Sequence, residues 1–286
     1  MNVLSPDESL HACLDEVRRL DHDRFLTTLL APAASRARLI ALYAFNVEIA
    51  RVREAVTEPM LGQIRLQWWR EAIEALAQGE ARAHEAAVAL SVTWERNTFP
   101  ARRFLALIDA RERDLTEEPF ADLDALESYA EATSSMLMLL AAEALAGPRA
   151  EDARAAIGPA GKAYALTGLL RALPVHASQG RLYLPLDLLR RHDIDPHRIF
   201  AGDMSDPLRA AVRELAGRAR ELLAEARTER RRVDRVLLPA LLPMSLCDGY
   251  LKMVMEPGFD PFRDATGVPA FVLQSRLIGR KLLGRF

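Results

Sequence analysis

Apolar positions along the chain recur at three- and four-residue intervals, and no stretch alternates convincingly at a period of two. The pattern therefore predicts helix throughout. Ser5-Pro6-Asp7-Glu8 places a capping residue, a proline suited to a first turn and two acids ahead of an apolar run, which predicts a helix start. In "ASRARLIALYAFNVEIARVREAV", Leu39, Ile40, Leu42, Tyr43, Phe45, Val47, Ile49 and Val52 cover most of a helix circumference. A helix apolar on nearly all sides belongs at the centre of a bundle. The next segment, "TEPMLGQIRLQWWREAIEALAQG", has Ile64, Trp68, Ile73 and Leu76 as its expected buried stripe and Gly79 as its stop. Further helices are predicted over 81–95, 101–114, 121–145 and 151–173. Three more follow, a long one from "DPLRAAVREL", one in "LPALLPMSLCDGYLKMVME" and the last in "VPAFVLQSRLIGRKLLGRF". With short connections and no visible repeat, one all-α domain over 1–286 is expected.

Composition narrows this further. The 286 residues are 50% hydrophobic, ample for a buried core, and the net charge of -2 provides no global field to recruit nucleic acid. Cys13 and Cys247 lie far apart without a CxxC pattern, as buried thiols of a reducing compartment would. The start, "MNVLSPDESLHACLDE", lacks the basic and apolar regions of a secretory signal, and no apolar stretch reaches the ~18–20 residues a bilayer span needs. A cytoplasmic protein is expected, with attachment to the inner face of the cytoplasmic membrane left open. Glu221, Glu225 and Glu229 share a helix face, but Arg220, Arg227 and Arg230–Arg232 are interleaved with them, so ion pairing is expected there rather than metal.

One segment is conspicuous for what it lacks. "LTGLLRALPVHASQGRLYLP" (166–185) has the glycine-basic step and aromatic-proline exit of a pocket edge and no Asp or Glu. "ALYAF" (41–45), "QWWREAI" (67–73), "LTGLLR" (166–171) and "GRLYLP" (180–185), in this order, resemble the squalene/phytoene synthase family over roughly 21–255. The resemblance implies an all-α isoprenoid (terpenoid) synthase-like bundle around a central apolar cavity. In the family's enzymes two prenyl diphosphates are joined there, and two aspartate-rich motifs hold magnesium. Carboxylates one helical turn apart project from one face, and two such faces let magnesium bridge carboxylate and phosphate oxygens. This sequence departs at both motifs. Against "YAFCR..DD..D" it reads "YAFNVEIARVRE", so the acidic slots fall on Ala50, Arg51 and Glu54. Against "LRD...D..RGR.YLP" it reads "LRALPVHASQGRLYLP", and the slots fall on Ala172 and His176. Pro174 is expected to end or kink the helix before His176, since proline lacks the N–H and crowds the carbonyl of Leu170. One lost electrostatic stabiliser already costs about 3–4 kcal/mol, roughly 10²–10³ in rate. No catalytic residue and no metal or other cofactor is therefore expected, magnesium entering only if the chain is a divergent prenyltransferase.

"FNVE", "QWW" and "LRA.P.H" resemble the branch of the family that includes a mitochondrial assembly factor for respiratory complex I. That branch implies a non-catalytic factor acting on early complex I subunits, with a cavity either vestigial or holding a lipid or polyprenyl tail. Two other readings stay open: a divergent prenyltransferase acting on prenyl diphosphates in isoprenoid biosynthesis, and a binder of quinone-like or isoprenoid lipids.

The candidate ligand-binding residues each have a plainer alternative. Arg51 and Arg53 suit phosphate or a lipid headgroup, but pairing with Glu48 and Glu54 is the more economical expectation. For His176, a capping or solvent-facing place is favoured over a role as metal ligand or polar group in the cavity mouth. Arg171 and Arg181 suit either an anionic ligand or the free carbonyls of a helix end, with nothing to separate the two. Trp68 and Trp69 must face different directions, so one belongs in the core and the other lines the cavity or a partner surface. Tyr183 is expected to pack at a loop exit. In the last helix, Phe271, Val272, Ile278, Leu282, Leu283 and Phe286 form an apolar arc flanked by Arg276, Arg280, Lys281 and Arg285, with Leu273 and Leu277 outside it. Docking on the bundle is slightly favoured over lying peripherally in an anionic membrane interface.

Overall fold

A computed structural model describes residues 5–94, 99–264 and 270–286, and among them every regular element is helical. The first elements are α1 (Pro6–Leu20), α2 (His22–Leu29), α3 (Ala33–Ala50), α4 (Pro59–Gln78), α5 (Glu85–Thr93) and α6 (Ala101–Arg111). Then come α7 (Leu123–Ala130) and α8 (Met136–Ala146), joined by a wide π-turn over Glu131–Ser135, and α9 (Arg154–Arg171) with α10 (Leu173–Ser178). The rest are α11 (Leu186–Arg191), α12 (Pro196–Phe200), α13 (Asp206–Thr228), α14 (Leu238–Leu241), α15 (Met244–Val254) and α16 (Ala270–Leu282). The Ser5 cap forms as its sequence predicts: its side chain accepts from the Glu8 N–H, and Glu8 reaches back to the Ser5 N–H at 2.8 Å.

The core is organised around α3, buried on almost every side from Leu39 to Ile49. Phe45 meets Trp69 edge-on at 5.3 Å and Phe104 at 5.1 Å between ring centres, which joins α3 to α4 and α6. On α4 the buried stripe runs Gly62, Leu66, Trp69, Ile73 and Leu76. That corrects the expected stripe at its start: Ile64 is 60% exposed, because the helix turns Gly62 toward Leu115 instead. Trp69 is the core tryptophan and Trp68 is half-buried.

α9 packs along α13 through small residues, Ala156, Ala160 and Ala163 on one and Ala211, Ala216 and Ala219 on the other, which let the two helices approach. Glu127 on α7 clamps both, with Arg218 of α13 at 2.6 Å and Lys162 of α9 at 3.3 Å. Arg218 also holds Glu221 and Glu225 at 3.1 and 3.2 Å, and Arg232 holds Glu229 at 3.0 Å, the ion pairing expected of those acids. α16 docks on the bundle, the placement favoured from the sequence. It docks through Leu277, with Leu273 beside it, onto Leu26, Leu242 and Leu246, so the two leucines outside the arc make the contact. Phe286 is buried, whereas Phe271, Val272, Ile278, Leu282 and Leu283 of the arc are exposed.

The π-turn presses its backbone onto α9. A Cβ on Gly161 would lie 2.3 Å from the Ser135 Cα, an atom that cannot swing away, while one on Gly168 would meet nothing within 4 Å. Gly161→Ala is expected to lower stability by about 1–3 kcal/mol through overpacking. Gly168→Ala, in an open helical position, should raise it by up to ~1 kcal/mol. Urea denaturation of the two variants checks this opposition of sign.

Candidate functional site

Three separate segments converge at one end of the bundle: the link after α3, the turn after α6, and the loop after α10. The helix ends before His176, as the sequence predicts: α9 stops at Arg171 and α10 begins at Leu173. Ala172, at φ -85° and ψ 0°, loosens one residue, and Pro174 then sits in the first turn of α10, where its missing N–H is not needed. The His176 N–H still reaches the Ala172 carbonyl at 2.9 Å, so the two former motif positions remain one turn apart. The loop curls back as Gly180 takes φ 68°, which glycine adopts without strain, and the Arg181 N–H closes onto the His176 carbonyl at 2.8 Å.

These segments enclose a cleft of about 280 Å³ bordered by Arg53, Arg113, Asp114, Phe120, Arg181 and Tyr183, with Thr116, Glu117, Glu118 and Gln179 to Leu182 completing its rim. The arginines are not equivalent. Arg113 is tied to the Glu118 and Pro119 carbonyls at 2.7 and 3.0 Å and lies 4.7 Å over the Phe120 ring. Arg53 donates to the Val56 carbonyl at 3.4 Å, so it is not paired with Glu48 or Glu54. Arg181 has no side-chain hydrogen bond or ion pair among the described residues and remains available to an anion. His176 corrects the solvent-facing expectation: its ring is half-buried against Tyr183, 4.5 Å between centres. Burial, reinforced by Arg181, pulls its pKa down to about 4, so the ring is neutral at pH 7.

Beneath the cleft lies a buried polar cluster for which the sequence carries no signal beyond an ordinary Arg–Asp spacing. Asp114 accepts from the Tyr129 hydroxyl at 2.6 Å and the Tyr183 hydroxyl at 3.4 Å, and pairs with Arg111 at 3.2 Å. Arg111 also donates to the Tyr129 oxygen at 2.9 Å. Burial pushes both tyrosine hydroxyls up, so both stay protonated donors. Tyr183 thus packs at the loop exit as expected, and also hydrogen-bonds.

The remaining candidates fall elsewhere. Arg171 neither caps carbonyls nor lines this cleft; it pairs with Asp23 at 3.1 Å. Trp68 packs against His84 at 5.5 Å with Arg82 5.8 Å over its ring, away from the cleft lining. The residues at the motif positions do not fit a magnesium cradle. Glu54 supplies their lone carboxylate, and Arg51 already holds it at 3.1 Å; Ala50 and Ala172 offer no side-chain donor, and His176 offers nitrogen where magnesium prefers oxygen. Among the described residues no three His, Cys, Asp or Glu side chains are grouped to hold a metal.

Comparison with known proteins places this geometry in context. Residues 17–275 match the family model described as squalene/phytoene synthase. The chain is 33% identical over 257 residues to the NADH dehydrogenase (ubiquinone) complex I assembly factor 6 of Rattus norvegicus, covering 90% of this chain and 77% of that protein. It is 25% identical over 285 residues to a 15-cis-phytoene synthase of Synechococcus elongatus, covering 94% and 91%. Among solved structures, a dehydrosqualene synthase in complex with ligand superposes with a TM-score of 0.85 at 17% identity, over 97% of each chain. A squalene synthase from Alicyclobacillus acidocaldarius gives 0.71 at 18%, over 98% and 97%. The isoprenoid synthase-like helical fold expected from the sequence is therefore the fold observed.

His176 generates a signed pH dependence. Its folded-state pKa lies below the ordinary 6.5, so its contribution is present above pH 6.5 and is lost as pH falls toward 4. Over that window the wild type is expected to lose up to about 3 kcal/mol that His176→Gln does not lose. Urea denaturation at a series of pH values reads the difference.

Proposed function

The chain belongs to the squalene/phytoene synthase family, and within it we propose a non-catalytic role: assembly of a respiratory NADH:quinone oxidoreductase, with the cleft holding the anionic head of a lipid or isoprenoid. The observation that carries this reading is the donor set at the motif positions. At the motif positions Glu54 is paired with Arg51 and Ala172 and His176 present no negative charge, and in the adjoining cleft, whose rim also carries Glu117 and Glu118, Arg181 has no ion-pair partner among the described residues. Such a cleft suits a phosphate-like head bound directly by arginine, without divalent cations. The likeness to mammalian proteins named as complex I assembly factors, at 31–33% identity over most of the chain, supports the assembly half of the proposal.

The alternative, a prenyltransferase with a reorganised site, draws on the likeness to phytoene synthases. Incubation with farnesyl or geranylgeranyl diphosphate and magnesium separates the two. Pyrophosphate release is expected to stay at the protein-free rate; magnesium-dependent release that disappears in Glu54→Ala would overturn the non-catalytic reading. For the assembly role, deletion of the gene is expected to lower both the content and the NADH:quinone oxidoreductase activity of the membrane complex. Unchanged content would sink that role.

A further inference from the structure

α16 is apolar on two sides. At 100° per residue, the side bearing Leu273 and Leu277 is covered by α2 and the α14–α15 segment. The other side, an arc of roughly 140°, carries Ile278, Phe271, Leu282, Val272 and Leu283 with only Ser275 and Gly279 between them, and no charge. Phe271 is 79% and Leu282 74% exposed. Leu29 is also exposed beside this helix, since Lys281 donates to the neighbouring Leu30 carbonyl.

The tertiary fold brings to the end of α16 a basic cluster some fifty residues away in sequence. Arg230 donates to the Gly284 carbonyl at 2.9 Å and Arg227 to the Phe286 carbonyl at 3.1 Å, which locks the turn Glu229–Arg232 against residues 283–286. This brings Arg227, Arg230 and Arg235 to the end of α16, beside its own Arg280, Lys281 and Arg285, with the exposed Arg231 and Arg232 next in the turn; Arg227 and Arg280 share Asp248, and Arg232 pairs with Glu229. On a chain of net charge -2, that is a strongly localised positive rim. Met60, Leu61 and Ile64 on α4 are also exposed, with one acid and one base, Glu58 and Arg65, nearest them in sequence.

We propose that the exposed face of α16, together with the Arg230–Arg232 turn, docks the protein peripherally on an anionic lipid surface. Exposed leucine and phenylalanine enter the headgroup–acyl boundary while arginines meet the headgroups, the two ingredients of interfacial binding. No single described helix is long and apolar enough to cross a membrane, and the bent pair 235–241 and 244–254 that passes the same test by composition is largely buried in the bundle. This inference does not rest on the assembly reading: a chain with no part in assembling a respiratory complex would still bind lipid through this face.

The test is flotation of the purified full chain with vesicles of phosphatidylcholine alone or mixed with phosphatidylglycerol, across a salt series. The wild type is expected to float with the anionic vesicles and to be released as salt rises. Leu282→Glu with Leu283→Glu should weaken binding by roughly 100-fold, and Arg231→Glu with Arg232→Glu by about 10-fold or more. Met60→Glu with Ile64→Glu, on the other patch, should bind as the wild type does. All six positions are exposed, so unchanged thermal unfolding certifies that the variants fold. Failure to float with anionic vesicles at low salt, wild-type binding by the α16 and arginine variants, or binding only to vesicles carrying a subunit of the respiratory complex would each overturn the proposal.

Discussion

A charge withdrawn from water must be matched inside the protein, and that constraint orders the end of the bundle where the cleft lies. Two clusters satisfy it, buried except for the half-exposed Arg171. In one, Asp21 holds Arg24 at 2.6 Å, Arg24 lies 4.8 Å over the Tyr164 ring, and Asp23 holds Arg171, so α2 is fastened to the end of α9. In the other, Asp114 and Arg111 are satisfied by Tyr129 and Tyr183, which fastens the turn after α6 to α7 and to the loop after α10. Removing one member of such a cluster strands its partner, at about 3–5 kcal/mol, so these contacts fix geometry more than they add stability. The cleft owes its shape to them: the loop carrying Arg181 is held at one end by Tyr183 on Asp114 and at the other by the backbone bond to His176.

The same accounting determines which charges face outward. Asp114 borders the cleft, but its side chain is only 8% exposed and already takes up Arg111 and two hydroxyls. Glu54 is committed to Arg51. Asp114 and Glu54 are thus each committed to an arginine, while Arg181 has no such partner among the described residues and Glu117 and Glu118 stand at the cleft rim. A helical bundle of this type tolerates the exchange because its fold depends on the apolar girth of α3 and the small-residue seam between α9 and α13. The site is carried on that scaffold and does not hold it together.

Much of this was legible in the sequence, and the failures have a common cause. The central place of α3, the capping box at Ser5 and the stop at Gly79 follow from local pattern, and all appear, Gly79 at φ 93°. The alanine and arginine at the motif positions were legible too, because they need only a register. What local pattern could not give is which neighbour covers an apolar position. Ile64 and Leu277 are both aliphatic residues on amphipathic helices; one is exposed and the other buried because Leu115 approaches Gly62 and Leu26 approaches Leu277 from distant segments. Asp114 reads as a surface pair with Arg111 three residues earlier. Its burial comes from Tyr129 and Tyr183, 15 and 69 residues away. Pro174 marks the end of a helix before His176 as read, but local pattern does not show that a new helix starts at once, with the proline in its first turn, so that 172 and 176 stay one turn apart.

Under the proposed reading the cleft holds a ligand without transforming it. Acceleration requires a contact that strengthens as the reaction proceeds, and a magnesium cradle does this by meeting the charge that develops on a departing diphosphate. Arginine at a fixed distance from a phosphate oxygen meets bound ligand and activated state nearly alike, so its energy goes into affinity. Proton transfer has little support at the groups that have been placed. His176 is held neutral by burial and by Arg181, and the Tyr183 hydroxyl is pushed well above neutrality while donating to Asp114. A cation free of ion pairs, a protonated phenol and a neutral ring packed behind it are what the proposed anionic head would meet there.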